Sequence, residues 1–107
     1  VEETRKREGE KLLQSLPTDS TVVALDERGV NDSSMRFAER VRDWTEGGRP
    51  IVFLMGGSWG LSDEVRARAD HLLSFGKHTL PHLLARITLL EQLYRAETIL
   101  HGKEYHK

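Results

Sequence analysis

The stretch from Phe75 to Lys107 constrains the fold more than any other part of the sequence. Thr79-Leu80-Pro81-His82 runs into a long apolar series: Leu83, Leu84, Ile87, Leu89, Leu90, Leu93, Tyr94, Ala96, Ile99 and Leu100. Proline fixes φ near the helical value and lacks an N–H that the first helical turn leaves unbonded anyway. An extended segment is therefore expected to end at Leu80, and a helix to begin at Pro81 or just after it. The apolar residues cover far more than one stripe and leave Thr88, Glu91, Gln92 and Arg95 as a narrow polar edge. A helix apolar on two sides needs two partners. One is a sheet of its own chain, and the other is most economically a second copy of the same helix across a two-fold axis.

With 107 residues, the expectation is one domain over residues 1–107 with a single core. The absence of cysteine removes disulfides, thiolate nucleophiles and thiolate metal sites. No apolar run reaches membrane-spanning length and the first residues read as a charged helix, so no membrane partner is expected and the location expected is cytoplasmic. The formal net charge of −1 argues against a surface coated in positive charge. From Lys77 onward, however, Lys77, Arg86, Arg95, Lys103 and Lys107 outnumber Glu91, Glu97 and Glu104, and four of the five histidines fall in the same stretch. Random scatter of surface charge accounts for this equally well.

In chain order, Val1 to Leu16 carries Leu12, Leu13 and Leu16 at helical spacing behind a charged run, and Pro17 stops it. Thr21 to Asp26 is a continuous β-prone run that suits a strand buried on both faces, followed by a polar loop from Glu27 to Asp32. Asp32 or Ser33 caps the next helix, which places Phe37, Ala38, Val41 and Trp44 on one face and ends at Gly47-Gly48. Ile51 to Met55 is a second buried strand. A third helix is expected from Ser62 to about Ser74, and a third strand from Phe75 to Leu80. Helices and strands alternating with short connections predict an α/β fold, a parallel sheet with helices on both faces. Ligands of such sheets bind beyond the carboxyl ends of the strands, here Leu25 to Gly29, Met55 to Trp59, and Thr79 to His82.

Each local signal has a plain reading beside the functional one. Gly56-Gly57 lets a ligand approach the backbone, but a tight turn needs the same pair. Neither the dinucleotide fingerprint nor a phosphate loop is present, because the spaced third glycine and the Gly-Lys-Ser/Thr sequence are both missing. His82 and His106 suit ligand or base roles, yet no carboxylate or cysteine cluster accompanies them, so no metal is expected. Trp44 reads as core. Trp59, directly after the glycines, reads as a cover for a pocket.

Taken together these segments resemble one family. Phe53-Leu54-Met55-Gly56-Gly57 with Gly60-Leu61-Ser62, Thr79-Leu80-Pro81-His82 with Ala85-Arg86, Leu90-Glu91-Gln92-Leu93-Tyr94-Arg95-Ala96, and the terminal Tyr105-His106-Lys107 are similar, in order, to the RlmH family. Its members are SPOUT-class methyltransferases that modify the N3 position of a pseudouridine in large-subunit ribosomal RNA. The resemblance implies a SPOUT-type α/β knot over about residues 51–107, S-adenosylmethionine as methyl donor, a homodimer with active sites at the interface, and ribosomal RNA in the assembled ribosome as partner. It maps the cofactor onto Leu25, Gly57 and the run Gly76, Lys77, His78, Thr79, Leu80 and Pro81. It also places His82, Arg86, Tyr105 and His106 near the chemistry, with Arg86 suited to offset carbonyl charge and His106 or Tyr105 suited to orient the base.

Two features depart from the family pattern. The strand, helix and strand that usually precede the first helix are not in this sequence, and Glu104 stands where proline is common before Tyr-His. Two other classes share part of the pattern. A non-catalytic nucleotide-binding module would use the strand-end glycines, and a dimerisation module would explain the two-sided last helix.

Overall fold

The computed structural model describes residues 2–56, 60–76 and 80–106. Among them four helices and three strands alternate: α1 (Glu2–Ser15), β1 (Thr21–Val30), α2 (Ser34–Glu46), β2 (Ile51–Leu54), α3 (Asp63–Arg68), β3 (His71–Leu73) and α4 (His82–Leu100). The strands form one parallel sheet in the order β2-β1-β3, with β1 central. Because successive side chains of a strand point to opposite faces, β1 supplies both halves of the core. Val23 packs with Phe37, Ala38, Val41 and Trp44 of α2 and with Leu89 and Ala96 of α4. Val22 and Ala24 pack on the other face with Leu54, Leu61 and Val65, over which Leu12, Leu13 and Leu16 of α1 close.

Local chemistry sets most of the boundaries. Ser33 accepts a hydrogen bond from the Arg36 N–H and starts α2, while Gly48 at φ +75° allows the chain to turn out of it. Ser62 accepts from the Val65 N–H and starts α3, with Asp63 and Glu64 in its positive first turn. Pro81 occupies the cap position of α4, and its carbonyl accepts from the Ala85 N–H. Trp44 is buried, edge-to-face with both Phe37 and Phe53 at centroid distances of 6.3 Å.

Three sequence expectations are corrected here. The helix expected from Ser62 to about Ser74 is only α3, and the third strand is His71–Leu73 rather than Phe75 to Leu80. The chain leaves the helix at Ala69, which is extended at ψ 137°. Asp70 then bonds to β1, its N–H donating to the Val22 carbonyl and its carboxylate accepting the Val22 N–H. Leu72 and Leu73, adjacent and both apolar, fit helix or strand equally well. In the sheet they part, Leu72 to the α1–α3 face and Leu73 to the α2–α4 face.

The third correction concerns Glu27 to Asp32. Residues to Val30 remain extended and return to β3, so that Leu25 and Val30 both pair with Leu73, with an irregularity between them. Gly29 makes this return possible, since a Cβ there would lie 2.5–2.6 Å from the Leu72 and Leu73 backbone.

One side of α4 faces α2 and the sheet through Leu89 and Ala96. The opposite side is uncovered in the single chain, with Leu83 65%, Leu90 58% and Tyr94 58% exposed, and Leu84 and Ile87 half-exposed beside them.

Candidate functional site

The ends of β2 and β3 and the irregular stretch of β1 after Leu25 surround one cavity of about 640 Å³. From the middle of β1 onward it is lined by Leu25, Asp26, Glu27 and Arg28, and beyond β2 by Met55, Gly56, Gly60 and Leu61. Ser74, Phe75, Gly76, Leu80 and Pro81 follow β3 around it, and His82 and Ala85 bring in the first turn of α4. Arg5 of α1 and Arg66 of α3 complete the wall.

Backbone conformation shapes this wall. A Cβ on Gly56 would lie 2.5 Å from the carbonyl carbon of Gly60 and 2.8 Å from the Leu61 nitrogen, so Gly56 comes this close to Gly60 and Leu61 only without a side chain. After β3 the Ser74 hydroxyl accepts from the Gly76 N–H and donates to the Gly76 carbonyl, each at 3.0 Å, and Gly76 sits at φ +117°. Side chains cannot follow the backbone there without strain.

The most enclosed charges belong to Asp26 and Arg66. Arg66 Nη1 donates to Asp26 Oδ2 at 3.2 Å and to the Leu61 carbonyl at 2.7 Å, while Nη2 pairs with Asp63. Burial pulls the Arg66 guanidinium down, but the hydrogen bonds and charges of Asp63 and Asp26 more than offset it, and its pKa is raised.

Of the residues expected to hold a cofactor, Leu25, Gly76, Leu80 and Pro81 line this cavity. Gly57, Lys77, His78 and Thr79 lie outside the described residues, as does Trp59. Of the four expected near the chemistry, His82 lines the cavity and Arg86 is exposed one helical turn further along α4.

Tyr105 and His106 are held elsewhere. The Tyr105 hydroxyl donates to Glu91 Oε2 at 3.0 Å, its ring meets Tyr94 edge-on at 4.8 Å, and the Arg95 guanidinium lies 4.8 Å from the same ring centre. Arg95 also pairs with Glu91 at 2.7 Å and lies 2.9 Å from His106 Nδ1. These contacts place the tail on the second half of its own helix, about 15 Å along the axis from Ala85 at the usual helical rise.

The protons in this cluster are fixed by its donors. A guanidinium only donates, so His106 Nδ1 is the acceptor and the ring N–H sits on Nε2. The Glu91 hydrogen bond, then burial, raise the Tyr105 pKa, so that the phenol keeps its proton. Glu91 itself is lowered, first by the Arg95 hydrogen bond. Tyr105 therefore presents a donor already spent on Glu91, and His106 presents its Nε2–H; neither presents a base.

Sequence reasoning missed Asp26, Arg66 and Glu91. Asp26 was legible only as a strand end and Glu91 only as part of a polar edge. Nothing in the order of residues links Arg66 to Asp26, 40 positions away.

Among the described residues no group of three or more His, Cys, Asp or Glu is placed to hold a metal, and no helix is long and apolar enough to cross a membrane.

Comparison with known proteins agrees with this geometry. The sequence is similar to a ribosomal RNA large subunit methyltransferase H of Anaeromyxobacter sp. (strain Fw109-5), 53% identical over 105 residues that cover 98% of this chain and 69% of that protein. The protein of the same name in Paramagnetospirillum magneticum is 52% identical over 104 residues, covering 96% of this chain and 68% of its own length. That of Trichlorobacter lovleyi is 48% identical over 107 residues, covering 99% and 70%. A family model described as "Predicted SPOUT methyltransferase" matches residues 1–106. With a parallel α/β sheet whose three strands all reach one glycine-walled cavity, and a match over nearly its whole length, the chain belongs to the SPOUT methyltransferase family.

Proposed function

We propose that this protein is an S-adenosylmethionine-dependent methyltransferase that modifies the N3 position of a pseudouridine in large-subunit ribosomal RNA, acting as a homodimer on the assembled ribosome in the cytoplasm. The observation that carries the reading is that all three strands contribute to one cavity with glycine-dependent walls, in a chain about half identical to ribosomal RNA methyltransferases. The cavity lies within the range that small-molecule sites occupy, roughly 300–1,000 Å³. Its lining also suits the cofactor, with main-chain groups at Gly56 for polar contacts and Leu25, Met55 and Leu80 for apolar ones. The finer fold reading, a trefoil knot over about residues 51–107, belongs to the same proposal.

Bound S-adenosylmethionine supplies an electrophilic methyl group on a positively charged sulfur. A ring N3 that accepted this methyl group would have to shed its proton. The protein's work is to hold the ring nitrogen in line, take that proton and offset charge on the flanking carbonyls. His82 stands at the cavity and takes the proton, and Arg86, one turn on, faces a carbonyl of the base.

The dimer explains the tail. If the exposed stripe from Leu83 to Tyr94 packs on its copy with the two helices antiparallel, the Tyr94–Tyr105 end of one subunit comes beside the His82–Arg86 end of the other. There the Nε2–H of His106 is a hydrogen-bond donor for the base. Attraction to phosphate is limited by a net charge of −1, which favours a structured ribosome over free RNA.

The test is transfer of a tritiated methyl group from S-adenosylmethionine to ribosomes that carry unmethylated pseudouridine, alongside filter retention of the cofactor by protein alone. Retention with transfer supports the reading. Retention without transfer points to a binding module, and neither, in a folded protein, points to a structural one.

A further inference from the structure

Leu25 of β1 and Gly56 after β2 both line the cavity, yet the β1–β2 pairing does not set the distance between them. The β1–β2 ladder runs from Thr21↔Ile51 to Ala24↔Leu54 and ends there, one residue before Leu25. Beyond that pair a single guanidinium spans the gap. Arg66 Nη1 donates both to Asp26 Oδ2, on the β1 side, and to the Leu61 carbonyl, on the β2 side. The other oxygen of Asp26 accepts the Arg28 N–H at 2.9 Å, so the carboxylate also sets the path of the β1 loop. The side chains are largely enclosed, Asp26 9% and Arg66 17% exposed, and Arg66 projects from a helix whose neighbouring Val65 is fully buried.

We propose that Arg66 is a positioning residue for the cofactor: its planar fork holds the Asp26 and Leu61 walls of the cavity at a fixed separation, so that the pocket is shaped before the cofactor arrives. This rests on the reading of the cavity as the S-adenosylmethionine site. The fork suits the task because its N–H groups are rigidly directed, whereas a lysine ammonium is a single flexible point. A partly enclosed ion pair adds little net stability, since desolvation offsets most of the attraction. Its effect therefore falls on pre-organisation, which lowers the cost of binding. Because Arg66 acts through the backbone of the two loops, it should not distinguish a charged sulfur from a neutral one.

The experiment measures binding of S-adenosylmethionine and of S-adenosylhomocysteine, which lacks the methyl group and its positive charge, to the full chain by calorimetry. The wild type is compared with Arg66→Met and Arg66→Lys, and the melting temperature of each ligand-free protein is recorded. Arg66→Met is expected to weaken both ligands equally, by about tenfold, and to lower the melting temperature, because it leaves the enclosed Asp26 carboxylate without its partner. Arg66→Lys should fall between the two. In methyl transfer the KM for the cofactor should rise while kcat at saturation stays near the wild-type value.

Unchanged affinity in folded Arg66→Met overturns the proposal. Weakening of S-adenosylmethionine alone also overturns it, because the pair would then be acting on the sulfonium. Should Arg66→Met fail to fold, Asp26→Asn reads the same link, and equal weakening of both ligands supports the proposal while unchanged affinity overturns it. A wild type that binds neither ligand defeats the cofactor reading and this inference with it. A wild type that binds, beside variants that bind equally well, defeats the inference alone.

Discussion

Asp70 and Val22 are bonded to each other twice: the Asp70 N–H donates to the Val22 carbonyl, and the Val22 N–H donates to Asp70 Oδ2, both at 2.8 Å. Val22 is fully buried, so its N–H has no water to turn to. The carboxylate takes the place of a strand neighbour at the start of the β1–β3 pairing, and that bond holds its pKa below the usual carboxylate value of 3.8. A depressed folded pKa means that the stabilisation is complete above about pH 4 and is lost as pH falls through the lower folded value. Asp70→Ala should cost about 1–3 kcal/mol by stranding the Val22 N–H. Asp70→Asn should retain the bond and remove its acid sensitivity, which urea titrations at pH 7 and pH 3 would show. Equal acid sensitivity in wild type and Asp70→Asn would assign it to other carboxylates.

Gly56→Val tests the cavity wall. Its Cβ would lie under 3.0 Å from three backbone atoms of Gly60 and Leu61, which cannot swing aside as a side-chain tip would. The Gly60–Leu61 backbone must give way, and affinity for S-adenosylmethionine should fall by at least about tenfold, while the α2–α4 face of the core, to which Leu61 does not belong, is untouched. Calorimetry together with a thermal melt checks both halves of this expectation.

The architecture was legible in the sequence wherever two signals agreed. Ser33 and Gly47-Gly48 bracket α2, Pro81 precedes α4, and the apolar runs at 21–26 and 51–55 fall in β1, buried over residues 21–24, and in the edge strand β2, fully buried only at Leu54. The boundary of α3 was not legible, because Leu72 and Leu73 suit either periodicity and the deciding bond, Asp70 to Val22, joins residues 48 positions apart. The cavity was legible as a set of strand ends and glycines. The Arg66 fork and the Glu91 cluster were not, since long-range ion pairs leave no pattern in local composition.

Ile87→Asp and Leu90→Asp test the dimer. Both side chains are half-exposed or more on the uncovered side of α4, and neither contributes to the buried core. Covering such a side chain contributes roughly 1–2 kcal/mol, so a charge at the centre of the stripe should convert the protein to monomers at micromolar concentration. Sedimentation equilibrium reads the mass directly, and far-ultraviolet circular dichroism should be unchanged.

Glu91→Gln tests the anchoring of the tail. It removes the charge that holds Arg95 and the Tyr105 hydroxyl, and through Arg95 the His106 ring. Methyl transfer should fall by about tenfold or more while cofactor affinity stays within about twofold. Tyr105→Phe, which loses the Glu91 bond but keeps the ring against Tyr94, should have the smaller effect. Single-turnover transfer rates on ribosomes separate the two variants.

The double pairing of Leu73 with Leu25 and Val30 makes residues 26–29 a closed buckle rather than an open loop. Its ends are fastened to one partner residue, its inner side is pressed against the β3 backbone at Gly29, and its outer residues Glu27 and Arg28 are exposed. Ordinary surface loops absorb insertions at little cost because closure entropy changes slowly with length. A buckle does not have that freedom, since one added residue would push either Leu25 or Val30 off its register with Leu73. Substitution at positions 27 and 28 is therefore cheap, whereas insertion or deletion between 25 and 30 would move a wall of the cavity. The segment works as a ruler, indifferent to much of its lettering but not to its length.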